Sequence, residues 1–187
     1  MKNLYILDIL ATLLFFFSFG LFNPIYVLFL GYPILLLYLF LTKRNYLFKN
    51  FLLGIIFAVI WTLIAKNYYG YGSNFGTFFG LNIYPLLAWP VGLLSLYIIF
   101  IEIEKKFNKP NKILNFIIFS LAYIFFLLFA EYIAYHFFNI KNLATASYPG
   151  IQFCNCLHAP TWMQWSYILF GPIYYLSSEI LDKKFRK

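Results

Sequence analysis

The sequence predicts an all-α, polytopic integral membrane protein. It has six transmembrane helices, a single membrane-embedded domain over residues 1–187, and both termini in the cytoplasm. Three observations carry that expectation. Of the 187 residues, 63% are hydrophobic and 11% charged, whereas a soluble domain needs about a quarter of its residues charged. The apolar residues come in runs close to the ~20 that a helix needs to cross a bilayer. Basic residues punctuate those runs in short clusters, and no polar linker is long enough to separate two domains.

The first span covers 3–22. Lys2 before an apolar run resembles a signal peptide, but Asp8 interrupts the run and no small-residue cleavage pattern follows. Asp8 lies near the helix start, where the macrodipole favours an anion and water is close; the competing reading is a functional intramembrane acid. The second span, 24–42, contains Gly31 and Pro33 and ends at Lys43-Arg44. In the third, 47–65, Lys49 near the start is expected to snorkel.

Residues 66–82 hold four of the ten glycines. On a helix Gly72, Gly76 and Gly80 would make one flat face, yet the Asn, Ser and Gly interruptions predict a loop. The fourth span, 83–103, carries Tyr84-Pro85 and Trp89-Pro90. It closes on Glu102, Glu104 and a run of lysines, which read as a solvated charge cluster. The fifth, 113–138, brings Glu131 near its far end, and the sixth, 161–181, contains Gly171-Pro172.

Charge placement sets the orientation. Six spans with the N-terminus inside put twelve of the 14 Lys and Arg residues on the cytoplasmic side, leaving Lys66 and Lys141 outside. Clusters of that kind suit anionic lipid rather than nucleic acid. The expected location is therefore the cell membrane, multi-pass, with the lipid bilayer as partner.

The chemistry gathers in Glu131–Trp165, which contains both histidines and both cysteines. Under this topology His136, Cys154, Cys156 and His158 are extracytoplasmic, as are Trp61, Trp89, Trp162 and Trp165. Tyr68, Tyr69, Tyr71, Tyr84, Tyr132, Tyr135 and Tyr148 join them. Aromatic residues at one boundary either anchor the protein or line an outer ligand cavity; the residues expected to bind are Trp61, Trp89, Tyr132, Tyr135, Trp162 and Trp165.

In an extended backbone Cys154, Cys156 and His158 share a face and supply zinc or copper ligands. Positions i and i+4 of a strand lie about 13 Å apart, so a metal requires the loop to curl. An oxidised pair and plain thiols are the other readings. Glu131, His136 and His158 are the candidates for acid–base catalysis, although Glu131 and His136 point about 140° apart while the helix continues. No acid, base or histidine falls at the centre of a span, which disfavours a stand-alone ion-coupled transporter.

Three functions follow. The first is a binding or translocation subunit that takes a small apolar or aromatic ligand at the outer aromatic site, with a membrane-protein partner supplying energy. The second is a membrane-embedded enzyme acting on a lipid or isoprenoid through Glu131, His136, Cys154, Cys156 or His158. The third is a structural or assembly component of a membrane complex.

Overall fold

The structure, a computed structural model, describes residues 4–72, 75–107 and 111–185, without the side chains of 106–107 and 183–185. Lys2, Lys109, Arg186 and Lys187, and the side chains of Lys106, Lys183 and Lys184, all counted in the topology, lie outside the described residues. Six α-helices make up the described chain: α1 (Leu4–Leu21), α2 (Pro24–Leu41), α3 (Phe48–Ile64), α4 (Ile83–Phe107), α5 (Lys112–His136) and α6 (Thr161–Phe185). Five of them, α1 to α5, are long and apolar enough to cross a membrane. The fold is all-α, as expected of a membrane protein.

α6 has the length, 25 residues, but is not among the five. Its hydropathy is lowered by Gln164, three serines, Glu179 and Asp182, and several of these turn inward. Ser178 and Asp182 are buried, and Asp182 meets Lys49 Nζ at 3.0 Å and the Tyr97 hydroxyl at 2.9 Å. Lys49 thus forms an ion pair across the bundle instead of snorkelling outward.

Local signals set the helix ends. Asn23 caps α2 by accepting a hydrogen bond from Ile25 N at 2.9 Å, with Pro24 in the first helical position, where its missing N–H costs nothing. Asn111 caps α5 through Leu114 N. At the end of α2, Lys43 adopts φ 57°, Lys43 N reaches Phe40 O, and Arg44 N reaches Leu39 O. That is a Schellman closure built without glycine, and it turns Arg44 inward.

α4 is the axis, packed by α1, α2, α3, α5 and α6, and it buries Val91, Leu93, Leu94, Tyr97, Ile98, Phe100 and Ile101. α3 approaches it most closely through Gly54, where a Cβ would sit 3.2 Å from Pro90 Cα; small residues at a helix contact allow such approach. α1 is the opposite case, for its one buried residue is Asp8. Arg44 Nη1 lies 2.9 Å from Asp8 Oδ1, and the Tyr38 hydroxyl donates to the same oxygen at 2.5 Å. Asp8 is therefore half of a buried ion pair, not a solvated acid resting on the helix dipole. Burial and a partner 36 residues away override the local reading.

The described residues of 66–82 form a loop. It includes a hairpin of β1 (Thr77–Phe78) and β2 (Leu81–Asn82), paired Thr77 to Asn82 and Phe78 to Leu81. Phe79 and Gly80, at φ 49° and 75°, supply the two left-handed residues that a tight hairpin turn requires. At the other end of the bundle, the exposed Lys105 pairs with the half-buried Glu102 at 2.7 Å, and Glu104 accepts a hydrogen bond from the buried Asn115, so the two acids are less solvated than the sequence suggests.

Candidate ligand-binding cavity

A cavity of about 390 Å³ lies between α1, α4, α5 and the 69–71 segment, within the size range of small-molecule sites. Most of its length is hydrocarbon and phenyl ring, from Phe15, Phe16 and Phe19 on α1 to Leu96 and Ile99 on α4. Gly92 leaves room there, since a Cβ added to it meets nothing within 4 Å. Most polar groups collect at one end, where Tyr69, Tyr71, Tyr84, Tyr123, Glu131 and Tyr167 lie beside the ring of Trp89, while Thr12 and Ser95 add single hydroxyls along the walls.

That end is built around the Tyr69 hydroxyl. Trp61 Nε1 donates to it at 2.6 Å, Trp89 Nε1 lies at 3.4 Å, and the Tyr167 hydroxyl lies at 2.9 Å. An indole N–H only donates, and a phenol oxygen accepts on two lone pairs. The Tyr167 hydroxyl donates to the Tyr69 oxygen alongside the indoles, so Tyr69 is the acceptor on which these donors converge. Burial pushes the Tyr69 phenol up to about 12, against the opposing pull of these hydrogen bonds. Burial likewise raises Tyr71, and the nearby Glu131 charge adds to it. Both phenols stay protonated at any physiological pH.

Tyr123 is fixed by donating to Tyr167 O at 2.7 Å. Its ring lies flat against Gly171, where a Cβ would overlap it. Gly171 and Tyr123 thereby hold α6 close to α5 behind the cavity. Glu131 is half-buried, with its free surface on the cavity, and among the described residues no hydrogen bond or ion pair engages it.

The cysteine loop is a separate structure. Cys154 and Cys156 form a disulfide, with Cα atoms 5.1 Å apart, closer than the ~6.5 Å of an extended C-x-C. Asn155 at φ 43° supplies the turn that closes the distance, and Ile151 bridges Cys156 across it. The sulfurs are bonded to each other, so Cys154 and Cys156 present no thiolate with which to join His158 around zinc or copper. Among the described residues no group of three His, Cys, Asp or Glu converges on a metal-sized site.

Both histidines pin this loop. His136 Nε2 lies 3.1 Å from Asn155 O, and His158 Nδ1 lies 2.9 Å from Tyr148 O, with the His158 ring stacked on Tyr135. α5 remains helical through His136, so His136 and Glu131 stay on different sides. Glu131, His136 and His158 are not assembled into one acid–base site.

Of the aromatic residues expected to bind, Trp89 lines the cavity and Trp61 stands behind it through Tyr69. Tyr132 meets the His136 ring at a tilt and Tyr135 meets it edge-on. Trp162 packs on Trp61 and Tyr68, and Trp165 is exposed. Tyr69, Tyr71, Tyr84, Tyr123 and Tyr167 were not singled out from sequence as binding residues. The signal for the first three was their place on the outer side beside the glycine-rich loop; nothing in the sequence marked Tyr123 or Tyr167.

Compared with protein-family models, curated proteins and solved structures, the chain matches none.

Proposed function

We propose that this chain is a multi-pass protein of the cell membrane, with α6 as a sixth span and both termini cytoplasmic. In this reading it is a binding or translocation subunit for a small apolar or aromatic ligand. One observation carries it: a cavity walled mostly by hydrocarbon and aromatic rings, with its tyrosine hydroxyls and its one carboxylate gathered at one end and only the Thr12 and Ser95 hydroxyls elsewhere. Such a site holds an apolar body by burial and orients it with a few polar contacts. The basic clusters support the orientation, which puts the Tyr69 end outside. No charged group lines the cavity except Glu131, so the energy for translocation would come from a membrane-protein partner.

Gly92→Phe tests this, because the new ring has open space to occupy and fills the cavity from a helix interior. Tryptophan energy transfer to N-phenyl-1-naphthylamine, measured in nanodiscs above the signal of empty discs, is expected for the parent protein. It should be lost in Gly92→Phe. Equal transfer in both proteins would refute a ligand cavity at this position.

A further inference from the structure

Resting on that binding reading, we propose that the ligand carries an organic ammonium group, seated between the Glu131 carboxylate and the rings of Tyr71, Tyr84 and Trp89. The cavity takes one charged side chain into an otherwise uncharged wall, and that side chain is an acid. A carboxylate withdrawn from bulk water is costly unless something pairs with it. Within the described protein nothing does. No lysine, arginine or histidine lines the cavity. Of the basic residues assigned to the outer side, Lys66 is exposed, and Lys141 is engaged over the Tyr135 ring at 4.8 Å, on the disulfide-loop side. The other described cations lie at the opposite end of the bundle.

The surroundings of Glu131 fit a cation for a second, independent reason. Tyr71 and Tyr84 meet edge to face with centroids 4.9 Å apart, Tyr71 stacks along Tyr69, and Trp89 stacks along Tyr167 at 5.4 Å. Aromatic faces attract cations within about 6 Å, most strongly where water is excluded. The Tyr71 and Tyr84 hydroxyls hold no hydrogen bond among the described residues, so both can accept from an N–H. An anionic ligand would meet the carboxylate and the π faces with the wrong sign. A neutral one would offer the carboxylate no opposite charge, so the carboxyl would have to take up a proton to sit beside it. The rest of the cavity, past Gly92 toward Leu96 and Ile99, takes an apolar body. The ligand class is thus an amphiphile with one ammonium head and a hydrocarbon or ring body.

The test uses the full-length protein in a nonionic maltoside detergent and three probes of matched size: 2-(1-naphthyl)ethylammonium, 2-(1-naphthyl)ethanol and 1-naphthylacetate. Affinities are read by displacement of N-phenyl-1-naphthylamine, followed through tryptophan energy transfer to that dye. We expect the ammonium to bind at least about tenfold more tightly than the alcohol, consistent with one desolvated cation–π contact, and the carboxylate to bind weakest. Glu131→Gln should reduce the preference for ammonium over alcohol, and Tyr84→Leu should weaken the ammonium alone. If Glu131→Gln does not fold, judged by its thermal transition, Tyr84→Leu carries the test by itself. Alcohol binding as tight as ammonium in the parent protein, or a preference that Glu131→Gln leaves unchanged, overturns the ammonium assignment and leaves the cavity reading intact. If no probe binds and Gly92→Phe changes nothing, the cavity reading falls with it.

Discussion

Replacing Asp8 with Asn keeps its shape and removes its charge, which makes it a direct probe of what holds α1. The Asp8 and Arg44 side chains are 2% and 4% exposed, with one oxygen and one nitrogen 2.9 Å apart. Asp8 Oδ2 and Arg44 Nε and Nη2 have no further hydrogen bond among the described residues. Breaking a buried pair by removing one partner costs about 3–5 kcal/mol, because the surviving charge stays buried without compensation. An acid that merely complemented the helix dipole would cost about 1 kcal/mol or less. For a chain of this size each kcal/mol moves the midpoint by about 2–4 °C, so Asp8→Asn should lower the thermal midpoint in mild detergent by on the order of 10 °C. The same reasoning predicts that Asp8→Leu with Arg44→Met recovers most of the loss, since replacing both partners by apolar groups is often neutral. Asp8 is also the one residue that α1 buries while α1 forms a wall of the cavity, so Asp8→Asn should weaken naphthyl-probe binding as well. A coupling below about 0.5 kcal/mol in the double-mutant cycle, the level of independent sites, would refute the ion-pair account.

Three further outcomes are expected. A membrane-impermeant maleimide added to intact cells after mild reduction should label Cys154 or Cys156; labelling that needs permeabilised membranes would reverse the proposed orientation. Gly171→Ala should force the Tyr123 ring off α6 and destabilise the protein by about 1–3 kcal/mol, as overpacking does; an unchanged thermal midpoint would mean the α5–α6 contact is looser than described. Tyr69→Phe should cost about 1–3 kcal/mol at pH 7 by leaving the indole donors unpaired. Because the folded Tyr69 phenol titrates near 12 against an ordinary 10, its stabilising effect is complete below pH 10 and fades as pH rises toward 12. The parent protein should therefore lose stability over that window more steeply than Tyr69→Phe, and parallel pH profiles would contradict the buried-hydroxyl network.

The helices were legible because hydropathy and capping are local properties. The expected span of 24–42 became Pro24–Leu41, and that of 161–181 began at Thr161, each marked by residues adjacent in sequence. The loop over 66–82 was equally visible in its Gly, Asn and Ser content. Partners distant in sequence were not legible. Arg44 reads as one more cytoplasmic base until the Lys43 turn carries it inward to Asp8. The disulfide was one of three open readings, and only the left-handed Asn155 brings its ends within reach. The outer aromatic residues were found as a group, but their division was hidden. Which of them face the cavity, the histidine-pinned loop or the bilayer depends on helix rotations that an aromatic-rich sequence does not encode in its periodicity.

The cavity's two sides differ in how firmly they are held, and that difference bears on its chemistry. On one side α4 is packed by every other helix, and the Trp61, Trp89, Tyr69 and Tyr167 network fixes the polar end through hydrogen bonds of defined direction. On the other, Phe15, Phe16 and Phe19 belong to a helix that buries a single side chain. A polar head is recognised only where its partners are pre-placed, because reorienting dipoles costs affinity; an apolar body needs only that water be excluded. Under the proposed reading the rigid wall would carry selectivity for the head, and the lightly held wall would adapt to the body. Substitutions around Tyr69 and Glu131 should change which ligand binds, whereas substitutions on α1 should change affinity across ligands alike.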